Sequence, residues 1–129
     1  MIEQAQDFLN KARESLQGAE SELVNRRYNN AANRAYYACF HAAIAALLHA
    51  GVRAESWEHK FVQGQFSGLL IWRRKLYRSD LAGLLPYVYG VRRDADYNAL
   101  SVSAKEAQRA VEKATLFVRI VEATLEELK

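Results

Sequence analysis

The sequence has few of the residues that interrupt or crosslink a chain. Its 129 residues include one proline and six glycines, so the composition offers little that breaks a long helix. A single cysteine excludes an internal disulfide and fits a reducing compartment. The longest apolar run, residues 42–48, is far too short to cross a bilayer. Glu3 and Asp7 stand where a signal peptide would be apolar, so we expect a soluble, cytoplasmic protein with no membrane partner.

Charge of either sign is nearly balanced. The net charge is +3, and the excess lies in residues 51–100, where eight basic side chains face five acidic ones. The basic residues concentrate at positions 73–78 and 92–93. Such a patch could meet phosphate groups. Lysine and arginine also favour the last turn of a helix, and on charge alone we favour that simpler interpretation.

The sequence does contain a clear helical periodicity. Apolar or small residues recur every three or four positions from Ile2 to Leu23 and again from Ala107 to Leu128. A serine at 103 with a glutamate three residues later predicts a capping box before the last helix. No stretch alternates with period two. These patterns predict one domain over residues 1–129, an all-α antiparallel bundle of four to five helices.

The middle of the chain has a weaker pattern. Apolar residues after position 56 predict a third helix, softened by Gly64 and Gly68. Ser79 and Asp80 together predict a cap for a short fourth segment. Pro86 is then expected to begin or kink the stretch that leads to residue 97.

The second helix is the most distinctive segment. We expect a break over residues 25–30 and a helix from about residue 30 to 50, with Gly51 as its C-terminal cap. Between residues 31 and 48 the only polar residues, apart from tyrosines, are Asn33, Arg34 and His41. A helix that is apolar nearly all round is buried on more than one side. In so short a chain, we expect one of those sides to pack against a second copy.

The polar residues of this helix fall on one face. A helix turns about 100° per residue, which places them within about a quarter of the circumference. They are Asn30, Asn33, Arg34, Tyr37 and His41. Burying an unpartnered polar group costs about 1–3 kcal/mol, so this stripe either faces a partner or lines a wet cleft. The alternative is a buried Arg34 bonded to an acidic residue or helix carbonyls, with His41 as a satisfied core histidine.

The spacing of Arg34 and His41 suggests how they could work together. Seven residues correspond to about 10.5 Å along the helix axis, too far for both to act on one atom. If two copies cross antiparallel near Tyr37 and Ala38, Arg34 of one copy faces His41 of the other. Histidine transfers protons near neutral pH, and arginine binds developing phosphate charge. This pair therefore suits phosphodiester cleavage by the RNA 2′-hydroxyl.

Other chemistries have weaker support. Cys39 and His41 point in different directions on the helix, and the other two histidines lack the spacing of metal ligands. No glycine-rich phosphate loop or dinucleotide fingerprint is present, so we expect no metal and no cofactor. Asp94 and Asp96 are interpreted as ion-pair partners of the arginines at 92 and 93 rather than as catalytic acids.

The second helix also resembles a known family. Residues 28–43 read Y-N-N-A-A-N-R-A-Y-Y-A-C-F-H-A-A and are similar to the central helix of HEPN domains, in the branch that reads S-R-A-Y-Y-A-x-F-H-A-A. Residues 93–97, R-D-A-D-Y, fit that branch as well. The resemblance implies an antiparallel helical bundle that dimerises through its second helix. Many HEPN proteins are metal-independent endoribonucleases, often toxins beside a nucleotidyltransferase antitoxin.

Their motif is an arginine and a histidine with four to six residues between them, which Arg34 and His41 match with six. Two positions depart from the pattern. Ala35 follows the arginine where many active members carry a polar residue, and Ala43 stands where toxins adenylylated by their antitoxin carry a tyrosine.

Three hypotheses follow. The first is a homodimeric, metal-independent RNase in which His41 is the acid–base, Arg34 stabilises the phosphate, and Asn30, Asn33 and Tyr37 support them. The second is a non-catalytic module that binds a nucleotide or nucleic acid for a separate nucleotidyltransferase. The third is a buried polar seam that only fixes the register of a dimer.

Overall fold

Five α-helices form the molecule in a computed structural model that describes residues 3–128, so that Ile2 of the first predicted face lies outside the described residues. They are α1 (Glu3–Val24), α2 (Tyr28–His49), α3 (His59–Gln65), α4 (Leu84–Tyr97) and α5 (Ala104–Glu127). No strand occurs within residues 3–128, which confirms the all-α prediction. None of the helices in that range is long and apolar enough to span a membrane.

Helix α2 is the centre of the bundle. Helices α1, α4 and α5 all pack against it, and α1 also packs against α5 as expected. The short loop between α1 and α2 makes these two antiparallel. Alanines on α2 allow a close approach of neighbouring helices; Ala31, Ala35 and Ala42 have no exposed surface. Three helices of the same chain thus account for most of the apolar surface of α2, so its burial alone does not require a second copy.

The C-terminus of α2 ends in a Schellman motif. Gly51 has a φ of +94°, a conformation that glycine adopts without steric cost. Its N–H donates to the carbonyl of Leu48 at 3.0 Å, and the N–H of Val52 donates to the carbonyl of Leu47 at 2.9 Å. The predicted cap is therefore confirmed.

The C-terminus of α1 uses the same motif without a glycine. The N–H of Arg26 donates to Leu23 at 3.1 Å and that of Arg27 donates to Glu22 at 2.9 Å. Arg26 accordingly has a φ of 62°, in the left-handed region. Because this tight turn reverses the chain within residues 25–27, α2 begins at Tyr28. The predicted break over residues 25–30 was therefore wrong in its length.

The region between α2 and α4 is less regular. The predicted third helix exists, but α3 continues from Phe66 to Arg73 as a π-helix, and Gly64 and Gly68 flank the change. A short 3₁₀-helix, Ser79–Gly83, then leads into α4. Pro86 lies in the first turn of α4, where its missing N–H leaves no helical hydrogen bond unmade.

The two predicted N-terminal caps had different outcomes. Ser103 Oγ accepts from the N–H of Glu106 at 3.1 Å, and Glu106 Oε1 accepts from the N–H of Ser103 at 3.1 Å, which confirms the capping box before α5. The predicted cap at Ser79 and Asp80 was wrong. Both residues lie inside the 3₁₀-helix, and Asp80 instead accepts two hydrogen bonds from Arg78, at 2.7 and 2.8 Å. The carboxylate is thus held by a guanidinium and makes no side-chain cap of the 3₁₀-helix.

Candidate functional site

Four residues of the predicted polar stripe, Asn33, Arg34, Tyr37 and His41, lie half-buried on α2 between α1 and α4. On one side, the ring of Phe8 in α1 lies 5.7 Å from the ring of His41. A Cβ atom placed on Gly18 of α1 would lie 3.7 Å from the aliphatic stem of Arg34, so that stem packs along α1. On the other side, the Arg92 guanidinium of α4 lies 5.8 Å from the ring centroid of Tyr37. We call this half-buried face, with its contacts from α1 and α4, the α2 groove.

Arg34, Tyr37 and His41 form a row along the α2 groove. The guanidinium carbon of Arg34 lies 5.0 Å from the ring centroid of Tyr37, and the Tyr37 ring lies 5.8 Å from the ring of His41. Tyr37 thus stands between the other two, in keeping with their predicted separation along one helix. Within a single chain, Arg34 and His41 do not meet over a common atom.

The partner of Arg34 is its own neighbour on α2. Asn33 Oδ1 accepts from Arg34 Nε at 3.2 Å and from Arg34 Nη2 at 2.8 Å. No carboxylate within residues 3–128 forms an ion pair with Arg34. The alternative of an arginine neutralised by an acidic residue is therefore wrong for this part of the chain. The half-buried guanidinium lies over the ring of Tyr37, in the geometry of a cation–π contact.

His41 is half-buried and incompletely satisfied. Its Nδ1 atom is buried and has no hydrogen-bond partner within the described part of the chain. Burial lowers the pKa of His41 to about 4, and the charges of Lys11 and Arg34 act in the same direction. The ring is therefore neutral at pH 7 and able to accept a proton. A buried ring nitrogen without a partner disagrees with the interpretation of His41 as a satisfied core histidine.

Asn30 lies apart from this row. It is exposed, and its Nδ2 atom donates to Glu22 Oε2 at 3.0 Å across the turn between α1 and α2. The structure thus brings Arg34, Asn33, Tyr37 and His41 together and places Asn30 one helical turn away from Arg34. A supporting role for Asn30 stays a prediction.

Sequence reasoning missed Arg92 as part of the site. Its guanidinium carbon lies 5.1 Å from the ring of Tyr36, 5.8 Å from that of Tyr37 and 5.8 Å from that of Tyr89. Its Nε atom donates to Asp96 Oδ2 at 3.1 Å, which confirms one predicted ion pair. The expectation is wrong for Asp94, which forms no ion pair within residues 3–128.

Within residues 3–128, Arg93 forms no ion pair. Its guanidinium carbon instead lies 5.9 Å from the ring of Tyr89, which Arg92 also approaches at 5.8 Å. A signal for these residues was present in the sequence. Tyr89, Arg92 and Arg93 have the i, i+3, i+4 spacing of one helix face.

His59 is the second residue that the sequence did not reveal. Its ring stacks on Tyr89 with centroids 3.6 Å apart and planes 12° from parallel. Its Nδ1 atom is 3.1 Å from the hydroxyl of Tyr36, a residue 23 positions away in the sequence. Because this contact joins α2, α3 and α4, no local spacing of residues predicts it.

The basic residues at positions 73–78 mostly belong to helix ends. Arg74 Nη1 donates to the carbonyl of Ala50 at 2.9 Å, beside the C-terminus of α2. Arg78 pairs with Asp80. The cation of Arg74 is favourable at the C-terminus of α2 because the last carbonyls of a helix lack helical partners. The simpler interpretation of this segment is therefore confirmed for Arg74.

Comparison with known proteins identifies relatives over nearly the whole chain. A family model described as HEPN domain matches residues 5–124. A Methanocaldococcus jannaschii protein named "Putative toxin MJ0605" is 30% identical over 127 residues, which cover 98% of this chain and 92% of that protein. A Thermotoga maritima protein named "UPF0332 protein" is 30% identical over 120 residues, covering 92% and 89%.

The fold also has a counterpart among solved structures. The crystal structure of TT1696 from Thermus thermophilus superposes with a TM-score of 0.70 and 22% identity, over 95% of this chain and 99% of that one. At this identity the likeness concerns the fold alone.

Proposed function

Because the chain belongs to the HEPN domain family, we propose that it is a metal-independent endoribonuclease of the toxin type, with a composite site formed by Arg34 of one copy and His41 of another. The observation that carries this proposal is the α2 groove. It holds an arginine without an acidic partner and a neutral histidine whose Nδ1 lacks a hydrogen bond in the described chain. A relative named as a toxin supports the biological role, and a nucleotidyltransferase antitoxin is the partner that we propose.

The chemistry needs only the substrate and these side chains. Neutral His41 accepts the proton of an RNA 2′-hydroxyl, and that oxygen attacks the adjacent phosphorus. The bond from phosphorus to the 5′-oxygen breaks, and the departing oxygen takes a proton from the imidazolium. The products are a 2′,3′-cyclic phosphate and a 5′-hydroxyl. Arg34 binds the phosphate oxygens on which negative charge increases in the transition state.

The row on α2 supports the proposed pairing of two copies. In one chain the Tyr37 ring separates Arg34 from His41. Because Ala38 is fully buried, the proposed two-fold axis passes beside the half-buried Tyr37, and an antiparallel approach of two copies there would bring Arg34 of one copy opposite His41 of the other, twice by symmetry. The half-buried row would then line the cleft between the copies.

The direct test is RNA cleavage in EDTA. We expect wild type to cleave, His41→Ala to lose about 10²–10⁴-fold in rate, and Arg34→Ala to lose about 10²–10³-fold. Arg109→Ala is the matched control, because Arg109 is an exposed arginine of α5 away from the α2 groove. Equal cleavage by all four proteins, with folding and dimerisation intact, would contradict the catalytic roles.

One observation favours a second function, a non-catalytic module that binds a nucleotide or nucleic acid for a separate nucleotidyltransferase. Asn33 already occupies two donors of Arg34, and Ala35 supplies no polar group after it. Such an arginine still binds an anion but has fewer donors left for a transition state. Binding of RNA or nucleotide without turnover, together with co-purification of a nucleotidyltransferase, would select this function over cleavage.

A further inference from the structure

A cavity with several polar side chains in its lining lies between α3 and α4. Its volume is about 520 Å³, within the usual range of about 300–1,000 Å³ for small-molecule sites. We call it the α3–α4 cavity. The lining side chains that bear on its chemistry are His59, Lys60, Gln63, Ser67, Tyr89 and Arg93.

The charged side chains that line the α3–α4 cavity are both basic. Lys60 and Arg93 line it, both are exposed, and neither forms an ion pair with any carboxylate of residues 3–128. No aspartate or glutamate of residues 3–128 lines the cavity. Arg78 and Arg92, by contrast, each hold a carboxylate. Two unpaired cations at a concave surface without acidic groups favour an anionic ligand.

The polar side chains of the α3–α4 cavity include both hydrogen-bond donors and acceptors. The hydroxyl of Tyr36 is almost entirely enclosed, at 2% exposure for the residue, and has only His59 Nδ1 within reach among the described residues. A hydroxyl that donates to Nδ1 leaves the ring hydrogen on Nε2. Burial lowers the pKa of His59, which keeps the ring in this neutral form. Together with Gln63 and Ser67, the cavity offers both donors and acceptors for the edges of a sugar or base.

Arg92 connects the α3–α4 cavity with the α2 groove. Its guanidinium carbon lies 5.8 Å from the ring of Tyr37, which stands between Arg34 and His41, and 5.8 Å from the ring of Tyr89, which lines the cavity. The side chain of Arg92 thus contacts both sites. A strand whose phosphate lies at His41 would pass Arg92 and reach the cavity with a neighbouring nucleotide.

We propose that the α3–α4 cavity binds a nucleotide of the same strand, with Arg93 and Lys60 on its phosphate and His59, Gln63 and Ser67 on its sugar or base. This inference rests on the proposed function for the identity of the strand. It assigns to Arg93 and Lys60 a role in substrate binding, away from the bond that is cleaved.

The test measures binding in the full-length His41→Ala protein, so that the RNA stays intact. The probes are a fluorescent RNA hexanucleotide and adenosine monophosphate. We expect Arg93→Ala and Lys60→Ala each to weaken hexanucleotide binding about five- to tenfold and to lower the salt-dependence slope by about one. Arg109→Ala, an exposed arginine outside the cavity, should change affinity less than about twofold.

The outcomes are separable. Unchanged hexanucleotide binding in Arg93→Ala and Lys60→Ala overturns the proposal, and so does an equal loss in Arg109→Ala, because overall charge would then explain it. Loss of adenosine monophosphate binding alone, with hexanucleotide binding unchanged, overturns the assignment to a strand. With active protein, Arg93→Ala should raise KM and leave kcat unaltered. A wild type that cleaves no RNA would refute the catalytic proposal and leave this binding result standing.

Discussion

Two inactive variants should restore activity when mixed, if Arg34 and His41 act across two copies. In a dimer of Arg34→Ala with His41→Ala, one of the two composite sites lacks both groups and the other retains both. The row on α2 is the reason, because Tyr37 separates Arg34 from His41 within each chain. A site built within one chain would never become complete in this mixture.

The expected recovery follows from symmetry. After free exchange of subunits in an equal mixture, about half of the dimers are mixed, and each has one intact site of two. The mixture should then show about one quarter of the wild-type rate per chain. Each variant alone is expected to fall at least about 10²-fold, so the recovered rate stands far above either background.

The assay follows cleavage of labelled RNA in EDTA before and after exchange. Different affinity tags on the two variants allow mixed dimers to be purified, and these should reach about half of the wild-type rate. As a control, Arg34→Ala mixed with the Arg34→Ala/His41→Ala double variant cannot assemble a complete site and should stay inactive. Mixed dimers that are isolated and remain as inactive as the single variants would refute the pairing across copies.

Two further predictions concern stability. His41 has its pKa lowered to about 4 in the folded chain, so below the ordinary value of 6.5 the unfolded chain binds a proton that the folded chain does not. As the pH falls from 6.5 to 4, the free energy of unfolding of wild type should therefore decrease by about 1–2 kcal/mol relative to that of His41→Gln, after allowance for solvent screening of a half-buried ring. Urea midpoints that change in parallel for the two proteins would contradict this. Arg26→Gly should raise the free energy of unfolding by about 0.5–1 kcal/mol, because glycine adopts the left-handed φ of 62° without strain. Arg27→Gly is the control, because Arg27 does not have a left-handed conformation. An Arg26→Gly protein that unfolds at a lower urea concentration than wild type would refute the reasoning.

The parts of the fold that depend on neighbours in sequence were predictable. The faces of α1 and α5, the glycine cap at Gly51 and the capping box at Ser103 all follow from residues within one or two turns. The π-helix from Phe66 to Arg73 was not predictable, since its apolar residues fit an ordinary helix equally well. The start of α2 was misplaced because the turn before it uses Arg26 where glycine or asparagine is usual.

The candidate site was predictable only along α2. Helix periodicity placed Arg34, Tyr37 and His41 in one row, since a single helix fixes their relative positions. Arg92 and His59 come from α4 and α3, and their contacts with Tyr36 depend on how whole helices pack. Periodicity also could not tell whether the apolar surface of α2 meets the same chain or a second copy. In the structure α1, α4 and α5 cover most of it.

The position of Tyr37 between Arg34 and His41 has a consequence for how the rate of cleavage depends on the amount of protein. Under the proposed pairing, a lone chain is harmless however much RNA surrounds it. Below the dissociation constant of the pair, the rate of cleavage rises with the square of the number of chains, so a tenfold increase in expression gives about a hundredfold increase in damage. Leaky synthesis would then be tolerated without an inhibitor, and an antitoxin would need only to keep newly made chains from meeting.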